Sequence, residues 1–348
     1  MTPGKSAVDT LLELLQGLGR AIRDAVVAAC TAQSEAELAA VAEDGPGDTI
    51  YRIDKVSEAM LVERLGAAAA ELGGVLLVAE GLAGGELLLP RGLGTAPAWR
   101  VIVDPIDGTR GLMYQKRSAW VLAAAAPERG PSTSSADIVL AVQTEIPLLK
   151  QHLCDELWAV RGRGARLSRV DRFSGQRREL PLTPSRSPTL LHGFAMVTRL
   201  FPGARDELAA IDEEIMLGLL GASPAGKALC FEDQYASTGG QLYELMVGHD
   251  RFNADLRPLM RPVLERRGQP GGICCHPYDL CTALIASEAG VRLSDPWGRP
   301  LDFPLDVHSD MAWVGYANDQ IRASVEPLLG AALARRGLTP EALAGQPR

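Results

Sequence analysis

Trp99-Arg100-Val101-Ile102-Val103-Asp104-Pro105-Ile106-Asp107-Gly108-Thr109 is the stretch on which the reading of this chain turns. Its first five residues, apolar but for Arg100, are of the kind that makes a buried strand. The run feeds straight into two aspartates three positions apart. Asp-Pro and Asp-Gly each mark an ordinary turn when they stand alone. Fused, at the end of a buried strand and followed by threonine, they make a far rarer pattern. Two carboxylates on so tight a turn can point at one spot. Pro105 stiffens the turn and has no N–H in need of a partner. Ile106 can offer its carbonyl oxygen, and Gly108 lets the backbone approach an anion closely. A helix starting after Thr109 aims the N–H groups near Gly108 and Thr109 at a phosphate.

Upstream, Val75-Leu76-Leu77-Val78-Ala79 is a second buried strand, with Glu80 at its end. It follows a helical stretch from Lys55 to Leu72, which Asp54 can cap and Gly73-Gly74 closes. Residues 7–43 are rich in Ala, Leu and Glu. Leu11, Leu12, Leu15, Ile22, Val26 and Val27 recur there at helical spacing, which predicts one or two long helices. Gly45-Pro46-Gly47 breaks the pattern, and residues 48–53 alternate like a short strand. Residues 81–98 read as a loop or hairpin.

Downstream, residues 118–126, 138–144 and 156–160 continue a β-rich pattern. The polar, Arg-rich residues 165–190 place a boundary near 185, giving an N-terminal subdomain over residues 1–185 and a C-terminal subdomain over residues 186–348. The C-terminal subdomain alternates a strand at 194–197, a helix at 206–220 and a small-residue helix at 237–247. A helix follows at 278–289, with Leu280, Ala283, Leu284 and Ser287 on one face and Asp279 as its cap. Residues 291–293, a turn at 295–298 and a further strand complete it.

The 348 residues are 47% hydrophobic and 22% charged, enough for a sizeable core in one large domain or two packed ones. A formal net charge of -8 without a concentrated basic stripe argues against nonspecific nucleic-acid binding. The pairs Arg177-Arg178 and Arg266-Arg267 read as solvated surface. The longest apolar run, Ala119 to Ala126, is too short to span a bilayer, and no leader pattern opens the chain. These features predict a cytoplasmic protein with no membrane partner. Six cysteines, at 30, 154, 230, 274, 275 and 281, include no C-x-x-C pair and read as reduced, mostly buried thiols.

Asp54, Glu80, Asp279 and the aspartates of the hexapeptide all stand at ends of predicted elements, where sites collect in layered α/β folds. Gathered together they repel one another, and some must protonate. Hard oxygen ligands of this kind are instead neutralised by Mg²⁺. Two such ions can stabilise the attacking and leaving oxygens of phosphoryl transfer.

The motif set resembles the inositol monophosphatase family, within the superfamily that includes fructose-1,6-bisphosphatase. Its order is an upstream Asp, G-E-E, D-P-[IL]-D-G-[ST] and W-D. Here these read as Asp54 in I-D-K, Glu80 in V-A-E-G, Asp104 to Thr109, and Asp279 in P-Y-D-L, over residues 48–317. The resemblance implies an α/β/α/β/α sandwich of two packed subdomains, commonly dimeric. It implies a Mg²⁺-dependent phosphatase acting on a small phosphorylated metabolite through metal-activated water, with the lithium inhibition common in the family. Glu80, Asp104 and the Ile106 carbonyl would hold one Mg²⁺, and Asp104, Asp107 and Asp279 a second. Asp54 and Thr109 would activate the water, and the Gly108 and Thr109 N–H groups would hold the phosphate. Ser237-Thr238-Gly239-Gly240 resembles the family segment that packs beside substrate.

Three departures weaken inositol phosphate as the substrate more than they weaken the chemistry. Gly81 replaces the second Glu of G-E-E, which removes support for a third metal. Tyr278 replaces Trp. Gly272 stands where the inositol-binding Glu is expected, beside a segment, 256–272, that reads as an insertion. Asp255 is the candidate replacement for that carboxylate. The basic stretch Arg110 to Arg117 suggests that Arg110, Lys116 or Arg117 meets a second anionic group. A dehalogenase-type D-x-D nucleophile fails on spacing. The alternatives are a sugar bisphosphate or 3′-phosphonucleotide phosphatase of the same superfamily, or an inactive binding or regulatory relative.

Overall fold

The run Ala119 to Ala126 finds its explanation in strand pleating. In a computed structural model that describes residues 6–32, 41–44 and 49–344 (side chains of 6–32 and 57–343), it forms a strand inside a large sheet. Trp120, Leu122, Ala124 and Ala126 face one apolar layer, and Ala119, Val121, Ala123 and Ala125 face another. A strand covered on both faces needs apolar residues at every position, so it reads as a run rather than an alternation.

The sheet has eight strands. In chain order these are β3 (Val75–Ala79), β4 (Glu86–Leu89), β5 (Trp99–Asp107), β6 (Ala119–Pro127), β7 (Leu140–Ile146), β8 (Leu153–Val160), β9 (Ala165–Asp171) and β10 (Arg177–Leu180). Their spatial order is β10-β9-β8-β7-β6-β5-β3-β4. Only β3 and β5 pair in parallel, and the helix α2 (Arg52–Ala69) precedes β3. The remaining neighbours pair antiparallel. Two short strands upstream, β1 (Val41–Asp44) and β2 (Thr49–Tyr51), form a separate hairpin.

Helix α1 (Ala7–Ala32) places Leu11, Leu15, Leu18, Ile22 and Val26 at three- and four-residue spacing on one face. That face and the Leu61, Leu65 and Ala69 side of α2 cover the large sheet from outside. The other face of the sheet meets α5 (Thr238–Met246), α7 (Pro277–Leu280) and α8 (Ala283–Ala289). Beyond them lies a four-stranded sheet, in the order β11 (Phe194–Val197), β12 (Asp250–Asp255), β14 (Trp313–Tyr316) and β13 (Arg292–Ser294). Its outer face is covered by α4 (Arg205–Leu220), α9 (Asp319–Arg335) and the turn region holding α6 (Arg261–Arg266). The layers therefore run helix, sheet, helix, sheet, helix, the α/β/α/β/α order expected. A last short helix, α10, spans Pro340–Ala344.

Several local expectations change. Residues 41–43, the end of the expected helical region, belong instead to the strand Val41–Asp44, which pairs with 49–51. Helix α2 begins at Arg52, so Asp54 sits inside its first turn rather than at its cap; the Asp54 side chain lies outside the described residues. The helix expected over 278–289 is two, interrupted at Cys281 and Thr282. Ser287 is exposed, and Leu284, Ile285 and Ala286 form the buried face instead. Asp279 caps nothing downstream; it is the third residue of α7. All six cysteines are free thiols. Among the described residues, no helix is long and apolar enough to cross a membrane.

Leu15 is fully buried between α1 and the large sheet. Leu15→Ala is expected to cost about 2–5 kcal/mol of stability, measured by urea unfolding. A cost below ~1 kcal/mol would show that α1 does not close this layer.

Candidate active site

The pleat of β5 carries its last residues out of the sheet. Pairing with β6 is regular from Trp99 to Asp104, then shifts register before Asp107. Such an irregularity re-aims side chains at the end of a strand. The Ile106 N–H donates to Asp104 Oδ1 at 2.9 Å, which holds that carboxylate against its own turn. Gly108, with φ +95°, starts the short helix α3 (Thr109–Met113).

Asp107 is held from the second half of the chain. Ser237 Oγ donates to Asp107 Oδ2 at 2.8 Å, and the Gly239 N–H donates to the same oxygen at 2.6 Å. Ser237 is also the N-cap of α5, accepting from the Gly240 N–H at 2.8 Å. A Cβ at residue 239 would stand 2.6 Å from Leu122 Cδ2 and 3.0 Å from Asp107 Oδ2, so the backbone can come this close only as glycine. Asp279 approaches from α7, where its Oδ2 accepts the His276 N–H at 2.7 Å.

The outcome is convergence. One oxygen each from Asp104, Asp107 and Asp279 lies within 4.8 Å of the others. All three line one open pocket with Glu80, Ile106, Gly108, Thr109, Arg110, Ser237 and Thr238. Asp104 and Asp107 are almost wholly buried. Desolvation first, then the charges of Asp107, Asp279 and Glu80, pushes the Asp104 carboxyl far above its usual range. Desolvation and Asp279 push Asp107 up to about 8, against the opposing hydrogen bonds from Ser237, Gly239 and Thr238. A set of hard oxygen donors this close, with a mutual repulsion to relieve, suits a divalent cation such as Mg²⁺.

Other expected residues fall elsewhere or take different partners. The Thr109 hydroxyl donates to the Ile106 carbonyl at 2.8 Å. A pair between Thr109 and Asp54 would involve a side chain outside the described residues. Asp255 does not line the pocket: it is fully buried, and its carboxylate is taken up by the Arg257 guanidinium. It is therefore not placed to replace the carboxylate missing at Gly272, which is itself exposed. Lys116 and Arg117 line a different cavity. Arg117 is ion-paired to Asp233, lies 3.7 Å from Glu244 and sits over the Tyr235 ring. Of the basic stretch, Arg110 is the member on the pocket wall.

The pocket also includes residues that motif reading passed over: Glu58, Phe201, Arg257, Cys274 and His276. Glu58 explains Gly81. A Cβ at residue 81 would lie 2.0 Å from Glu58 Oε1, and Gly81 has φ +84°. A carboxylate from α2 thus fills the space that a side chain at 81 would need. The one available signal was position, since Glu58 is a helical turn after Asp54 and on the same face.

No family model matches the chain, and no curated protein sequence matches it. Solved structures do. The extragenic suppressor protein suhB from Bartonella henselae is 17% identical with a TM-score of 0.63, over 92% of this chain and 98% of that one. The fructose-1,6-bisphosphatase of Leishmania major in its holo form is 13% identical with a TM-score of 0.67, over 96% of both chains. The inositol monophosphatase from Anabaena is 15% identical with a TM-score of 0.56, over 95% and 97%. The chain thus has the layered fold of the inositol monophosphatase and fructose-1,6-bisphosphatase structures.

Burial of these carboxylates sets a dependence on pH. Carboxyls whose pKa is raised on folding contribute stability below their unfolded pKa, near 3.8, and lose it as pH rises toward the folded value, about 8 for Asp107. In chelator, the melting temperature is expected to fall between about pH 5 and about pH 8, and Mg²⁺ is expected to restore more of it at the higher pH. A flat profile in calorimetry would contradict this. Ser237→Ala, losing both an N-cap and the Asp107 contact, is expected to cost about 1–2 kcal/mol in urea unfolding.

Proposed function

We propose that this chain is a Mg²⁺-dependent phosphatase that releases phosphate from a small phosphorylated metabolite. The observation that carries the reading is the meeting of Asp104, Asp107 and Asp279 oxygens within 4.8 Å, on a pocket wall shared with Glu80. The fold likeness to an inositol monophosphatase and a fructose-1,6-bisphosphatase supports it.

In this reading Glu80, Asp104, Asp107, Asp279 and the Ile106 carbonyl would hold two Mg²⁺ ions, with Asp104 common to both. Mg²⁺ there supplies positive charge that offsets the carboxylates and the charge developing on the phosphoryl group. Asp107 stays oriented through Ser237 and Gly239. Asp104 stays oriented through the Ile106 N–H. Thr109 has its hydroxyl hydrogen on the Ile106 carbonyl, so its oxygen presents lone pairs and acts as an acceptor that positions water. The Gly108 and Thr109 backbone bears on the phosphate. Asp54 completes the group as the proton acceptor.

Asp104→Asn removes a shared carboxylate without changing its size. Phosphate release from a panel of sugar, inositol and nucleotide monophosphates with Mg²⁺ is expected to fall at least about a thousandfold, a loss of ~4 kcal/mol in transition-state stabilisation. A variant that keeps a tenth of wild-type release, or a wild type inert on the whole panel, would overturn the reading.

A further inference from the structure

The pocket that gathers the carboxylates is lined by cations as well. Arg110 and Arg257 both stand on its wall beside Phe201. Their guanidinium carbons lie 5.7 Å and 5.5 Å from the centroid of the same Phe201 ring. Each is a favourable cation–π contact, and both hold a guanidinium at the same side chain of the pocket wall.

Arg257 is built in rather than draped over the surface. Its side chain is 12% exposed, and it rests on the buried Asp255 carboxylate at the end of β12. Its Nε donates to Asp255 Oδ1 at 2.9 Å and its Nη2 to Oδ2 at 2.6 Å. Its Nη1 donates to the Ile273 carbonyl at 3.0 Å. A guanidinium carries five N–H donors, so these contacts leave donor capacity on both terminal nitrogens. The planar fork is fixed in place and always charged, the form in which arginine recognises carboxylates and phosphates.

We propose that Arg110 and Arg257, gathered on Phe201, form a subsite for a second oxyanion carried by the substrate, either a phosphate or a carboxylate. This rests on the phosphatase reading for which group is hydrolysed. The carboxylates take the scissile phosphate with their metal, and the guanidiniums take the other anion. Asp255 is a positioning residue here: it acts only through Arg257. The basic loop after the hexapeptide divides accordingly, with Arg110 serving the pocket and Arg117 tied to Asp233 and Glu244.

The test compares matched probes on the full chain with Mg²⁺: fructose 1,6-bisphosphate against fructose 1-phosphate, and 3-phosphoglycerate against glycerol 3-phosphate. Wild type is expected to favour the doubly anionic member of at least one pair by about ten- to a hundredfold in kcat/KM, through KM. Preference in the first pair identifies phosphate as the second group, and in the second pair carboxylate. Arg110→Ala and Arg257→Lys, the latter keeping charge but not the fork, are expected to bring that ratio toward one. The circular dichroism spectrum reports folding, and Arg110→Ala carries the test alone if the Arg257 variant does not fold. No preference in either pair, or a preference that folded variants retain, overturns the subsite. Should nothing be hydrolysed, the phosphatase reading fails separately. Calorimetric binding of fructose 1,6-bisphosphate and fructose 1-phosphate to wild type and variants then decides the subsite, by the same ratio and the same two overturning outcomes.

Discussion

Asp104 and Asp107, both buried, share a wall with Asp279, and most of the surrounding structure answers to that constraint. Carboxylates in this position lose hydration and repel one another, so each has to be held by donors that do not themselves need the pocket. The donors are backbone N–H groups and one hydroxyl: Ile106 for Asp104, Ser237 and Gly239 for Asp107, and His276 for Asp279. Three elements far apart in the chain supply them. β5 brings the first two aspartates, α5 secures the second, and α7 brings the third. The helix layer between the two sheets exists at this point as the place where those elements meet.

The same wall explains an exchange that motif matching alone presents as a loss. Gly81 stands where a second glutamate is expected, and the Glu58 carboxylate occupies the space beside it. The two cannot coexist as placed, so acidity near Glu80 is supplied from α2 rather than from the strand end. At Arg257 the balance reverses. Asp255 is withdrawn from the cavity to anchor Arg257, and a cation faces the pocket in place of a carboxylate. A pocket lined by both carboxylates and guanidiniums can select by charge as well as by shape.

Much of the fold was legible because burial on both faces, or on one helical stripe, leaves its mark in short stretches of chain. The runs at 75–79 and 194–197 are strands with those bounds, and the spacing of Leu11, Leu15 and Ile22 is that of a helix. Local preference misleads where tertiary contacts override it. Residues 41–43 carry helical composition yet belong to a paired strand. The 278–289 segment keeps helical periodicity across a break that lets Asp279 reach the other carboxylates. In the site, contiguous or motif-bound residues can be named from sequence, whereas nothing in their neighbours marks Phe201 or Arg257, and Glu58 is marked only by its place one helical turn after Asp54.

The sequence by itself determined the hexapeptide, its donor chemistry and the layered alternation of elements, because these depend on residues close together in the chain. It did not determine which carboxylates meet or which basic residues face them. Read along the chain, Asp255 and Arg117 stand among the candidate site residues with Asp279 and Arg110. Tertiary packing separated them, because each side chain is fixed by the partners that other elements bring near it. Arg257 claims Asp255, while Asp233 and Glu244 hold Arg117.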